Sequence, residues 1–133
     1  MPTRRDLVRA LTAVVGETNV LFRPEDLIVY EFDGTIEKQQ PYAVVFPANA
    51  EEIAAVIRIC NDLGVAITPR GAGTGLSGGS VPTRRGVVIA TARMRRILEI
   101  DPANRIAVVE PGLPNIQLSE AAAAYGLFYA PDP

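Results

Sequence analysis

The stretch "PRGAGTGLSGGSVP", residues 69–82, limits the possible folds of this chain more than any other. Five of the nine residues from Gly71 to Gly79 are glycine, and Pro82 closes the run. Glycine loses more backbone freedom on folding than any other residue, so a run like this is rarely kept for stability. It must be a loop, and it lies between two β-branched runs, "VAITP" (65–69) and "GVVIAT" (86–91). Something has to approach this backbone so closely that side chains are in the way.

Within the loop, "GTGLSG" (Gly73, Gly75, Gly78) satisfies G-x-G-x-x-G. A Rossmann site needs the third glycine to open a helix whose N-terminus holds a pyrophosphate. Here Gly79 and Pro82 follow at once and the next element is a strand, so that reading fails. A Walker A loop ends in Gly-Lys-Ser/Thr, and no lysine lies between residues 69 and 82. What survives is the underlying physics: consecutive N–H groups in a glycine-rich turn form a concave nest for an anion. Thr74, Ser77 and Ser80 can add hydroxyl donors. Arg70, at the mouth of the loop, can pair with phosphate or point to solvent. A ligand-free linker fits less well, since it would mix Ser, Asn and Asp among the glycines and tolerate less of Leu76 and Val81.

The flanking sequence supplies a scaffold. Residues 3–15 place Leu7, Leu11, Val14 and Val15 at helical spacing before Gly16. "RPEDLIVYEFDGT" suits a short helical turn running into a loop at Asp33-Gly34. "YAVVFP" (42–47) reads as a buried strand stopped by Pro47. Asn49 is an N-cap with Glu52 three residues on, as in a capping box, and Gly64 is the stop. Ile53, Val56, Ile57, Cys60 and Leu63 share one face of the helix between them. Residues 42–69 are thus a strand-helix-strand unit, which gives parallel strands. "ILEIDPANRIAVVEPG" (97–112) holds two alternating runs around "DPAN", an antiparallel hairpin. "PNIQLSEAAAAYG" is a helix with Pro114 in its first turn and Gly126 at its end. "LFYAPDP" begins a further strand.

Composition narrows the function. At 133 residues, 48% of them hydrophobic and 21% charged, the chain is long enough for one cored domain. A net charge of −2 argues against a general nucleic-acid binder. The arginines do cluster, in "TRRG" (Arg84, Arg85) and "ARMRR" (Arg93, Arg95, Arg96), and could face a ligand phosphate, a partner or only water. Histidine is absent and Cys60 is the one cysteine, so zinc sites and Ser-His-Asp or Cys-His catalysis cannot be built from this chain. We expect no metal and no disulfide, hence a reducing, cytoplasmic setting. No apolar run approaches the ~20 residues of a membrane span, and the interrupted N-terminus reads as an amphipathic helix, not a signal peptide.

The loop "PRGAGTGLSGGSVP", the earlier "YEFDGT", and the later "EPG" and "YAPDP", in that order and spacing, resemble a known family. They are similar to flavoproteins of the PCMH-type, or vanillyl-alcohol oxidase, FAD-binding fold. The run from Ala92 onward is similar to the glycolate oxidase FAD-linked subunit and its D-lactate dehydrogenase relatives. The resemblance implies an α+β fold: a small parallel βαβ subdomain followed by the start of an antiparallel one, with FAD held between. It implies that residues 1–133 are an N-terminal fragment of the FAD-binding domain, lacking the rest of the flavin site and the cap domain.

Carried over by motif, the cofactor contacts fall on Gly71, Ala72, Gly73, Thr74, Gly75, Gly79 and Ser80, with Pro131 near the flavin. Gly73→Asp is then expected to lose FAD. With no histidine and Cys60 on a core face, the FAD is expected to be non-covalent. The implied whole protein is a flavin oxidoreductase of a small 2-hydroxy acid, glycolate or D-lactate, with possible partner subunits and no catalytic residue in this chain. As a fragment it is expected to self-associate and to be inactive alone. The alternative is a non-enzymatic module that binds a nucleotide or phosphate or associates with itself.

Overall fold

The computed structural model describes residues 3–82 and 84–131. Helix α1 (Arg4–Val15) opens with a reciprocal cap. The Asp6 N–H donates to Thr3 Oγ1 at 3.2 Å and the Thr3 N–H donates to the Asp6 carboxylate at 2.9 Å. Leu7, Leu11 and Val15, four residues apart, form its buried stripe.

Four strands make the main sheet: β1 (Val20–Leu21), β2 (Ala43–Val45), β3 (Ile67–Arg70) and β4 (Val87–Ala90), in the order β1-β2-β4-β3. β2 and β3 are both parallel to β4, as the strand-helix-strand pattern requires, but β4 enters between them. β1 is an antiparallel edge, with Val20 opposite Val45. A single turn, α2 (Pro24–Leu27), continues as a 3₁₀ turn through Tyr30, matching the expected helical stretch.

Helix α3 (Ala50–Asp62) crosses over the sheet. Asn49 Oδ1 accepts the Glu52 N–H at 2.9 Å, as a cap should, while the Glu52 carboxylate reaches one residue further back, to the Ala48 N–H at 2.7 Å. Val56 and Cys60 are fully buried, and Ile53, Ile59 and Leu63 pack at the margin. Ile57 departs from the expected face: it is exposed, and Ile59 takes its place. The strands alternate as pleated strands must. Ala43, Val45, Val87 and Ile89 face α1 and α3, whereas Val44, Val88 and Ala90 meet Leu27, Tyr30 and Phe46 on the other side. Burial on both faces fixes the register, since each Val or Leu so buried is worth about 1.5–3 kcal/mol.

The second layer is the expected hairpin, β5 (Ile97–Asp101) and β6 (Ile106–Val109), antiparallel with a bulge between Ile97 and Glu99. Asp101 shapes its turn by accepting the Asn104 N–H at 3.0 Å and the Asn104 side-chain amide at 2.7 Å. Helix α4 (Asn115–Ala123) follows, with Pro114 at the cap and Leu118 and Ala122 buried. The architecture is α+β, a parallel-rich sheet followed by an antiparallel pair.

The strand expected at "LFYAPDP" is not formed over residues 127–131. A strand needs a ladder partner, and here α4 takes those groups instead. The Tyr129 N–H donates to Ser119 Oγ at 3.1 Å, and Asn115 Nδ2 donates to the Pro131 carbonyl at 3.0 Å. Asp132 and Pro133 lie outside the described residues. Among the described residues no helix is long and apolar enough to cross a membrane, and no group of acidic or cysteine side chains is placed to hold a metal.

Candidate functional site

The glycine loop leaves the C-terminal end of β3 and returns along the sheet to the start of β4, where Val81 and Pro82 are buried. Its first residues, Gly71, Ala72 and Thr74, form one wall of a cleft of about 590 Å³. Thr91, Ala92 and Arg95, continuing from β4, form a second wall, and residues 111–116, leading into α4, form the third. The cleft therefore lies where the two layers meet, at the carboxyl ends of β3 and β4, the usual place for ligands in parallel sheets.

The loop rests on residues 29–35, through contacts that local sequence patterns do not reveal. Arg70 points neither to a ligand nor to solvent: its guanidinium is buried, donating to the Phe32 carbonyl at 2.7 Å and the Val29 carbonyl at 3.4 Å. It also lies over the Tyr30 ring, 5.3 Å from the centroid. The Gly34 N–H donates to the Gly75 carbonyl at 3.0 Å. A Cβ on Gly34 would come within 2.6 Å of Leu76 Cδ2 and 2.9 Å of that same carbonyl. Beside it, buried Asp33 accepts the Thr35 N–H at 2.8 Å, leaving its other oxygen without a partner among the described residues. Hydrogen bonds from Thr35 hold its carboxyl below the usual range, and the Arg70 charge adds a smaller push.

The glycines of the loop divide into two kinds. Gly78, at φ +73°, and Gly73, at φ +72°, are left-handed, and a Cβ on Gly73 would collide with the Arg70 guanidinium. Both are required by the protein itself. Gly71, Gly75 and Gly79 are different: none has a left-handed φ, and a Cβ on each would meet nothing within 4 Å. Neither packing nor a left-handed φ requires glycine at these three exposed positions.

Of the residues carried over by motif, the structure brings Gly71, Ala72 and Thr74 together at the cleft. Gly73 faces inward to Arg70, and Gly75, Gly79 and Ser80 lie outside the cleft lining. The collision at Gly73 gives Gly73→Asp a further consequence, since that change would disturb Arg70 as well as any ligand on the loop. Sequence reasoning missed Thr91 and Asn115 as cleft residues, and named Arg95 only within an arginine cluster that could face a phosphate, a partner or water. It noted Asp33-Gly34 as a loop and within "YEFDGT", and Gly112 within "EPG", without a structural role for either. A Cβ on Gly112 would collide with the Thr91 carbonyl, so that glycine lets the two walls of the cleft approach.

Cys60 lies far from this chemistry. It lines a second cleft, with Tyr42, Val65, Ala66, Arg84 and Arg85, at the opposite, N-terminal ends of the parallel strands. Burial pushes its thiol up to about 11, so it stays protonated and unreactive at neutral pH.

The chain was compared with known proteins. Residues 41–133 match a family described as FAD binding domain. The glycolate oxidase subunit GlcD of Escherichia coli (strain K12) is 41% identical over 131 residues, covering 98% of this chain and 26% of that protein. A D-lactate dehydrogenase of Archaeoglobus fulgidus is 40% identical over 118 residues, covering 85% of this chain and 26% of that one. Among solved structures, p-cresol methylhydroxylase with substrate bound superposes with a TM-score of 0.82 at 27% identity, over 92% of this chain and 25% of that one. The chain thus spans about a quarter of the length of the relatives it matches.

Proposed function

We propose, on the premise that this chain belongs to the FAD-binding domain family and takes FAD as its cofactor, that Gly71–Ser80 hold the FAD pyrophosphate on main-chain N–H groups. The observation that carries this reading is the trio Gly71, Gly75 and Gly79, where an added Cβ would meet nothing within 4 Å and φ is not left-handed. A diphosphate brought against their N–H groups accounts for missing side chains that neither strain nor packing explains. Ala72, Thr74 and Ser80 complete the cradle, the two hydroxyls as further donors. Arg70, from below, fixes Gly73 and so the direction in which the loop presents its amides.

When bound, FAD supplies a two-electron acceptor, and the chain supplies its position and electrostatic surroundings. The whole protein is on this reading an oxidoreductase of a small 2-hydroxy acid, glycolate or D-lactate. The support is the similarity to GlcD and to a D-lactate dehydrogenase. On this reading residues 1–133 supply no histidine or cysteine link to FAD, since histidine is absent and the one cysteine is buried with its thiol protonated.

The test is an FAD titration of the purified protein, followed by flavin fluorescence, alongside Gly71→Val and Gly75→Val. Both changes are expected to weaken binding by about a hundredfold, as the loss of close main-chain contacts to an anion would, with an unchanged thermal midpoint for the apo proteins. Valine variants that bind FAD as tightly as the parent would refute the loop assignment.

The hairpin bears on assembly. Leu98, Ile106 and Val108 leave apolar side chains exposed on β5 and β6, and Ile116 and Phe128 do the same on and after α4. We read these surfaces as covered by a second copy or by a partner subunit. Light scattering at rising concentration should show a mass above that of the monomer; a strictly monomeric protein would count against self-association.

A further inference from the structure

A diphosphate in the cleft carries negative charge that a cationic side chain would balance, and the glycine loop offers no free one. Arg70 is turned inward and committed to the Phe32 and Val29 carbonyls. The five arginines that cluster in sequence between residues 84 and 96 are split by β4 to opposite ends of the sheet. Arg84 and Arg85 line the cleft at the N-terminal ends of the strands, with Cys60 and Tyr42. Of the three at the C-terminal end, Arg93 donates to the Phe46 carbonyl at 2.7 Å and lies 4.0 Å from Glu52. Arg96 is paired with Glu110 at 2.8 Å. Only Arg95 lines the same cleft as Gly71, Ala72 and Thr74.

Its environment suits a ligand role. Arg95 Nε donates to the Ala92 carbonyl at 2.6 Å, which pins the guanidinium from its inner side. Its two terminal nitrogens carry four N–H donors, and neither has a recorded protein partner among the described hydrogen bonds and ion pairs. A guanidinium oriented at Nε and open at its fork is the geometry that meets a phosphate with two parallel hydrogen bonds.

We propose that Arg95 is the counter-charge of the cofactor diphosphate, gripping it from the wall that continues from β4. This rests on the reading that the loop holds the pyrophosphate. The division of labour is then clear: the loop supplies close, uncharged donors, and Arg95 supplies the charge.

The experiment is a titration of the purified apo protein with FAD and, separately, with ADP, at low and at moderate salt. Arg95→Gln is expected to weaken both ligands by about tenfold, the value of a charge-assisted hydrogen bond to phosphate, and to flatten the salt dependence of Kd. Arg95→Lys should recover part of the loss. The double variant Arg84→Gln/Arg85→Gln, which removes more charge at the far end of the sheet, should shift Kd by less than about twofold. If Arg95→Gln binds both ligands as the parent does while Gly75→Val loses FAD, the role of Arg95 is overturned and the loop reading stands. If Gly75→Val also binds normally, the loop reading fails and takes this inference with it. If the Arg84/Arg85 double variant weakens binding as much as Arg95→Gln, the effect is overall charge and the specific role is refuted.

Discussion

Glu110 accepts the Arg96 main-chain N–H at 2.7 Å and its guanidinium at 2.9 Å through Nε and 2.8 Å through a terminal nitrogen, although the carboxylate is itself buried. Hydrogen bonds from Arg96 hold its carboxyl below the ordinary value of 4.5, and Asp33 is held below 3.8 by those from Thr35. A carboxyl lowered in the native state stabilises the fold above its unfolded pKa, and that contribution disappears as pH falls through the lowered native value. The parent should therefore lose thermal stability on acidification below the ordinary carboxylate range. Glu110→Gln should lose less over the same interval, between about pH 6 and pH 3. Identical acid profiles for the two proteins would show that the pair contributes nothing. The same residue keeps Arg96 occupied, which leaves its neighbour Arg95 for the cleft.

The elements that local chemistry specifies were legible in the sequence, and those that depend on distant partners were not. The cap of α3 at Asn49, the hairpin turn at Asp101 and the buried apolar runs of β2 and β4 all follow from residues within a few positions of one another. The placement of β4 between β2 and β3 does not, because strand order is set by which faces can be buried together. β1, two residues long, is too short to carry an alternating pattern. Residues 127–131 have the composition of a strand but spend their polar groups on Ser119 and Asn115 of α4. Arg70 is the sharpest case in the site. Next to a phosphate-type loop it reads as a ligand residue, yet its partners lie 38 and 41 residues earlier in the chain. Removing it should therefore affect an element and not a contact to ligand. Arg70→Met is expected to destabilise the protein by about 1–3 kcal/mol by leaving buried carbonyls unpaired. Chemical denaturation would measure this, and a variant as stable as the parent would mean that residues 29–34 do not brace the loop.

At the scale of the molecule, the site is a seam. One side is the end of a parallel-rich sheet whose central strands β2 and β4 are buried on both faces, and the other is the approach to α4. Gly112 lets the two sides approach, and Arg70 and Gly34 set the height of the loop between them. The family match, the similarity to GlcD and the TM-score of 0.82 to p-cresol methylhydroxylase agree with this arrangement as a flavoprotein fold. The central claim is narrower: main-chain amides of residues 71–80 hold the diphosphate. Amide hydrogen exchange with and without FAD tests it most directly, because these exposed amides should exchange fast when the cofactor is absent. The account requires strong protection of residues 71–80 on adding FAD, with ADP giving the same pattern. Protection elsewhere, with the loop exchanging as fast as before, would contradict it.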